Sequence, residues 1–466
     1  MNAPNKTEVP RIAQVGERMA SLAQAYTPDP FVIALLLVAV SFVVGFFRSD
    51  NDAVDLAYAF AEGMLHPGLL AFAFKMALIL VTGHALACAP FVQRHFSRLA
   101  SVPKTNAQAA ASVAFVAMFL GWWNWGLGLV GGAFFAREIG KSFRQRQIPL
   151  QYPLIGAAGY LGLLVWHGGF SGSAPLKVAV QSSFSAPINI SRTILSERNL
   201  LLTVVVIGAM SALFYILGKG AASKTPHQAL QETSPEIGDD VKAKHDTPET
   251  KQNFASFVES RRELSLVISL PIFSYLVVSL VDEGASAINL NFVILLFFAQ
   301  GIVLFKTPRD YSRAFADGAK GAGGILLQFP LYFGILAVTK ESGLLSDMAQ
   351  LLTSLATPLE AVLSPSRVAP ALSLLSASML NVLVPSGGGQ WALQSPILLE
   401  TCERLSLDKA SMVMAFSYGD QLTNMMQPFW ALPLLSITGL KAHEVMGYTL
   451  LAMFTAFPIY LLAVML

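Results

Sequence analysis

Charge is what this chain lacks most. Only 13% of its 466 residues are Asp, Glu, Lys or Arg, against 54% hydrophobic residues. A soluble domain carries about 25% charged residues, so most of this surface faces something other than water. Cysteine is nearly absent. Cys88 and Cys402 stand far apart in apolar contexts, which reads as packing rather than a disulfide or a metal site. A net charge of +2, with no basic stretch interleaved with aromatics, gives no nucleic-acid surface. No alternating strands of a membrane barrel are seen. Also missing are His-Glu-x-x-His, Gly-x-Ser-x-Gly and a phosphate loop ending in Gly-Lys-Ser/Thr. No cofactor is expected, and enzymatic chemistry has no motif to rest on.

Long apolar runs are what is present. Pro30–Phe47 holds no charge and is long enough for the hydrocarbon layer, which takes about 20 residues. Similar runs follow at Gly68–Val92, Tyr152–Ser183, Asn199–Leu217, Leu264–Val281, Ile288–Phe305, Gly321–Thr339, Ser411–Leu440 and Gly447–Leu466. The expected class is an all-α polytopic membrane protein, with about nine transmembrane helices and two re-entrant hairpins in two inverted repeats.

The halves resemble each other. Asp55-Leu-Ala-Tyr-Ala-Phe-Ala-Glu-Gly63 matches Asp310-Tyr-Ser-Arg-Ala-Phe-Ala-Asp-Gly318, 255 positions on, and Asn124 precedes Asn381 by 257. Two matches at nearly one offset point to a duplication. Residues 1–29 read as an amphipathic surface segment and 30–217 as the first repeat, with a hairpin at 107–140. Residues 218–262 form a hydrophilic cytoplasmic linker, and 263–287 a connecting transmembrane helix. Residues 288–466 form the second repeat, with a hairpin at 368–400. Basic segments (Arg94–Lys104, Arg137–Arg146, the linker, Lys306–Lys320) mark the cytoplasmic side. Asp282–Ser286 and Ser49–Pro67 carry no Lys or Arg and fall outside. The N-terminus is then inside and the C-terminus outside.

Each half contains interruptions. Gly121-Trp-Trp-Asn-Trp-Gly-Leu-Gly128 and Asn381-Val-Leu-Val-Pro-Ser-Gly-Gly-Gly-Gln-Trp391 break the hairpins. Trp166–Pro175 and Tyr418–Pro428 break the spans that follow. Backbone opened inside a bilayer survives only within protein or around a solute. Matched breaks in the two halves of a transporter point to its binding site. Asn124, Trp125, Gly126, Asn381, Ser386, Gly387, Gly388, Gly389, Gln390 and Trp391 are the candidate substrate residues. The glycines would admit left-handed angles and close approach, and the half-helix N-terminus suits an anion.

Ser171, Ser173, Asp420, Thr423 and Asn424 form a candidate oxygen cage for Na⁺, or a proton site, because an ionisable residue at membrane depth is usually functional. Lys75 either snorkels, pairs with an acid or meets a substrate carboxylate. His84 reads as a hydrogen-bonded core residue, and His167 borders the first unwound span. Trp122, Trp123, Trp125, Trp391 and Trp430 serve either as interfacial anchors or as pocket walls.

Several of these strings are shared with a known family. They are Pro28-Asp-Pro30, Val81–Leu86, Asn124–Val130, Phe134–Glu138, Gly168–Ser173, Val384–Trp391 and Gln427–Pro433. Together they resemble the bacterial short-chain fatty acid transporter (AtoE) family, from Thr27 to the C-terminus except the linker. The resemblance implies uptake of short monocarboxylates such as acetoacetate or butyrate across the inner membrane. It also implies a superfamily with paired re-entrant hairpins, an elevator-like motion and a homodimer. The expected partners are a small monocarboxylate anion, Na⁺ or H⁺, and the lipid bilayer. The alternatives are a di- or tricarboxylate or aminoacyl transporter on the same scaffold, and an intramembrane acyl-processing enzyme using Ser386 with His167 or His84.

Overall fold

The computed structural model describes residues 30–49, 52–180, 186–219, 254–344, 347, 354, 364–383 and 386–466. The expected N-terminal amphipathic segment and most of the linker lie outside the described residues. Helices fill the described chain, and no strand occurs among these residues. The chain is an all-α multi-pass membrane protein.

The first half runs α1 (Pro30–Arg48), α2 (Ala53–Met64), α3 (Pro67–Cys88), α4 (Pro90–Leu99), α5 (Asn106–Trp123), α6 (Trp125–Gln145), α7 (Tyr152–Tyr160), α8 (Ser173–Val178) and α9 (Glu197–Leu217). Among the described residues between the halves are two helices, α10 (Phe254–Glu259) and α11 (Arg262–Glu283). The second half repeats much of this order as α12 (Leu290–Leu304), α13 (Pro308–Lys320), α14 (Gly323–Glu341), α15 (Pro365–Leu383), α16 (Gly387–Arg404), α17 (Lys409–Thr423), α18 (Pro428–Thr438) and α19 (Ala442–Met465). Among the described residues, six continuous or interrupted helices are long and apolar enough to cross a membrane, and two more are apolar but shorter.

Local chemistry sets the helix starts. Asp52 and Asp55 form a capping box on α2. Thr105 caps α5, Asn124 caps α6, Ser196 caps α9, Asn289 caps α12, Ser386 caps α16 and Asp408 caps α17. Burial then separates the roles. The window through α7 and α8 is 94% buried, whereas that of α11 is 17% buried. An apolar helix so little covered faces lipid. The interrupted span lies in the middle of the protein.

The matched motifs occupy matched positions. Gly63 ends the first on α2 and Gly318 the second on α13. A Cβ on Gly63 would lie 2.5 Å from Ala337 Cβ of α14, and one on Gly318 would lie 3.1 Å from His84 Cβ of α3. Thus α2 packs on α14 of the other half, and α13 packs on α3. Each half grips the other through the same glycine.

The first hairpin is tight. Asn124 alone separates α5 from α6, in an extended conformation (φ −155°, ψ 127°). A Cβ on Gly128 would sit 2.4 Å from Gly121 Cα, and one on Gly132 would sit 3.0 Å from Ala117 Cβ. Those pairings place the two helices antiparallel about Asn124. In the second hairpin, Gln390 Nε2 of α16 donates to Ala377 O of α15 at 2.7 Å.

Two expectations change here. Gly387, Gly388 and Gly389 are the first turn of α16 rather than left-handed residues; among the described residues positive-φ glycines are Gly284, Gly343 and Gly439. Their smallness serves close packing, because added Cβ atoms would meet Trp166 and His167, Phe329 and Met76, and Tyr332. The second interrupted span also breaks later than expected. Helix α17 runs through Gly419 and Asp420 to Thr423, and only Asn424–Gln427 leaves the α-helix. Gly419 is present because a Cβ would fall 2.1 Å from Leu374 O. The break follows from Pro428, which disfavours helix at the residue before it.

These close approaches are testable. Gly132→Ala puts a methyl 2.2 Å from Gly159 O and should destabilise by about 1–3 kcal/mol, read as a lower melting temperature in detergent. Gly208→Ala meets nothing within 4 Å on α9 and should melt at the wild-type temperature or slightly above.

Candidate substrate and coupling site

The four interruptions converge on one shared cavity. The first hairpin contributes Trp125, and the second contributes Ser386, Gly387 and Gly388. Leu163, Trp166 and Ser173 come from the first interrupted span, Asn424 and Trp430 from the second. Met76 of α3 and Ile325 and Phe329 of α14 complete the wall. No lysine or arginine is among these residues.

Tryptophan forms much of the apolar surface. Trp125 meets Trp430 edge-on with centroids 5.2 Å apart, and lies 6.2 Å from Trp166. Trp122 and Trp123 pack instead on Phe170, at 4.9 and 5.4 Å. Trp391 packs on Phe416 at 4.9 Å and does not line the cavity.

Polar groups are placed by the helix ends. Ser386 Oγ accepts from Gly389 N at 3.3 Å, so its own proton remains to be donated. Helix geometry gives the N–H groups of Gly387 and Gly388 no intrahelical acceptor. The indole N–H of Trp166 is buried without a hydrogen-bond partner among the described residues. At the other tip, Asn124 Oδ1 accepts from Leu127 N at 2.9 Å, and its amide donates to Ile79 O at 3.3 Å. Gly126 is required there because a Cβ would lie 2.9 Å from Leu80 O. The structure turns Asn124 toward α3, and Gln390 toward Ala377 and Gln394, rather than into the chamber.

The oxygen residues divide into two groups. Ser171 Oγ accepts from Trp125 N at 2.9 Å, tying it to the first hairpin tip. Asn381 Nδ2 donates to Asp420 O at 2.7 Å and to Thr423 Oγ1 and Asn424 Oδ1, both at 2.9 Å. The amide therefore stands where a cation held by those oxygens would stand.

Behind the cavity wall is a buried ionisable pair that crosses the halves. His167 Nδ1 lies 2.6 Å from Asp420 Oδ2, and both side chains are wholly buried. The backbone N–H of Ala174 donates to His167 Nε2 at 3.1 Å, so Nε2 is the acceptor nitrogen and Nδ1 carries the proton toward Asp420. Ser173 Oγ lies 3.0 Å from the same Nε2. Trp166 stacks on the ring at 4.3 Å. Among the described residues Asp420 Oδ1 has no hydrogen-bond partner. Sequence alone marked His167 and Asp420 separately. Their pairing was recoverable only as a hint, from ionisable residues near equivalent interruptions.

The remaining candidates lie elsewhere. His84 sits against Gly318. Lys75 lines a separate cavity with Lys177.

A matching family model spans residues 11–466 and describes a short chain fatty acid transporter. The chain belongs to this family. A protein of Escherichia coli (strain K12), provisionally named a short-chain fatty acid transporter, is 33% identical over 95% of this chain and 97% of its own length. One from Haemophilus influenzae with the same provisional name is 32% identical over 97% of this chain and 99% of its own. The fold is similar to the crystal structure of the YdaH transporter of Alcanivorax borkumensis, with TM-score 0.56, 14% identity and coverage of 94% of this chain and 98% of that one. It is also similar to Neisseria gonorrhoeae MtrF, described among antimetabolite efflux pumps, with TM-score 0.52, 12% identity and coverage of 96% and 97%.

These relatives are transporters and efflux pumps, not enzymes. The site geometry agrees with transport. Among the described residues no hydrogen bond joins Ser386 to a histidine. Ser173 does touch His167, but Nε2 already accepts a backbone N–H and is not a free base.

Asn381→Ala removes the donor shared by three buried acceptors. It should cost about 1–3 kcal/mol of stability, seen as a lower melting temperature. Ser112→Ala breaks only a bond to Ala109 O of its own helix and should change melting much less.

Proposed function

We propose that the chain is a secondary transporter that carries a short monocarboxylate across the bacterial inner membrane together with a proton. One observation carries this reading: both hairpin tips and both interrupted spans border a single chamber backed by a buried His–Asp pair. The carboxylate binds the Ser386 hydroxyl, the N–H groups of Gly387 and Gly388 and the indole N–H of Trp166. Trp125, Trp430, Leu163 and Phe329 hold the acyl chain. The absence of a lysine or arginine from the lining favours one carboxylate over two or three, which supports a monocarboxylate over a di- or tricarboxylate.

A proton is favoured over Na⁺ by the hydrogen bonds. The Thr423 and Asn424 oxygens already accept from the Asn381 amide. Asp420 Oδ1 has no hydrogen-bond partner among the described residues and is the atom to receive the proton, with His167 holding Oδ2. Coupling has a physical purpose. An inside-negative potential opposes anion entry by about 2.3 kcal/mol per charge per 100 mV, and one accompanying proton cancels that opposition. Cross-half hydrogen bonds tie the interrupted helices together and support their movement as one elevator-like unit. In this reading the N-terminus is cytoplasmic and the C-terminus outside.

Purified protein in liposomes should accumulate labelled butyrate or acetoacetate when the outside is made acidic, with no requirement for Na⁺. Failure of every short-chain acid to accumulate under any imposed ion gradient removes the proposal. Asp420→Asn should abolish proton-driven accumulation yet keep exchange of internal for external acid. Ser386→Ala should weaken butyrate affinity several-fold in a counterflow assay.

A further inference from the structure

A second cavity lies beside the first. Lys75 of α3 and Lys177 of α8 both line it, with Phe72, Asn289 and Asn291. No acidic residue is among its lining residues, and among the described residues neither lysine has an ion-pair partner. Two half-buried ammonium groups facing one concavity repel each other. Lys177 offsets part of that cost by lying 4.9 Å over the Phe72 ring. An anion between the two lysines would remove the rest.

The position of this cavity matters as much as its charge. Phe72 lines it, and Phe329 lines the central chamber. The two rings meet with centroids 6.2 Å apart, and both side chains are almost fully buried. Met76, one turn beyond Phe72 on α3, lines the central chamber. The Phe72–Phe329 contact therefore joins the wall of the cationic cavity to the wall of the chamber. The cavity walls come from the start of α3, the end of α8 and the start of α12. The adjoining connections, Ser49–Pro67 and Asp282–Ser286, hold no lysine or arginine, which the charge rule assigns to the outer face.

We infer that the Lys75–Lys177 cavity is an outer vestibule that captures the carboxylate of the incoming solute before it passes the Phe72–Phe329 pair. The inference rests on the proposed transport of a small anion and adds an entry site distinct from the chamber. Clustered positive charge in a low-dielectric recess raises the local anion concentration and the capture rate. The chamber itself can then remain free of fixed positive charge and release its cargo.

Amine labelling tests this directly on the full-length protein in nanodiscs. An amine-reactive acetylating reagent is applied, and modification of Lys75, Lys177 and the exposed Lys320 is followed by mass spectrometry. Butyrate should slow labelling of Lys75 and Lys177 several-fold and leave Lys320 unchanged. An unaltered rate at both lysines overturns the vestibule, even if wild-type protein transports butyrate normally. Protection by butyrate without transport of any short-chain acid keeps the anion site and removes the transport reading. Nanodiscs of neutral phosphatidylcholine and of phosphatidylglycerol separate the two carriers of negative charge. If only phosphatidylglycerol protects, the cavity is a lipid site and the vestibule is overturned. In liposomes, Lys75→Gln with Lys177→Gln should raise KM for entry on the vestibule side several-fold with kcat kept, and Lys75→Arg with Lys177→Arg should restore it.

Discussion

Inside a bilayer, a backbone N–H or C=O that leaves its helix must find a partner in the protein. In this chain the partner often comes from the opposite half. Gln421 Oε1 accepts from the N–H groups of His167 and Gly168, at 2.9 and 3.3 Å. Tyr460 donates to Leu164 O at 2.7 Å. In return, Tyr160 donates to Asn424 O and Gln427 O, at 2.9 and 3.0 Å. Each half repairs the break of the other. The interruptions are held at one place because neither is complete alone.

Close packing makes those bonds reachable. Gly169 passes so near Trp122 O that a Cβ would lie 2.0 Å away, and Phe170 N donates to that same carbonyl at 2.9 Å. Gly121 approaches Gly162 O equally closely. Small residues let two main chains touch where side chains would hold them apart. The same economy of space leaves room for one chamber, framed by tryptophans and helix N-termini. Its donors suit a carboxylate, its walls suit a short acyl chain, and a buried His–Asp pair lies behind it.

That arrangement keeps fixed positive charge out of the chamber, as the proposed transport requires. The chamber lining has no fixed positive charge, while the two lysines line the neighbouring cavity. A solute held by neutral donors can be released, whereas one held by an ammonium at membrane depth would pay heavily to leave. In the proposed reading, capture and translocation fall to different side chains.

Much of this was legible in the residues themselves. Hydropathy placed the apolar helices, and clusters of glycine and proline pointed to the breaks near Asn124, Ser386, Trp166 and Pro428. These are local effects: glycine frees its own backbone, and proline restricts the residue before it. The exact conformation of a glycine run was not legible, because Gly387–Gly389 serve helix packing as readily as a left-handed turn. Nor could the sequence show that Asn381 fills the oxygen cluster of Thr423 and Asn424, or that Ser171 belongs to the hairpin tip. His167 and Asp420 are separated by 253 positions, and Lys75 by about a hundred from Lys177. The chain by itself determined where the helices must open. Only the packing of one half against the other decided which polar groups meet there, since such contacts depend on helix placement that no local preference encodes.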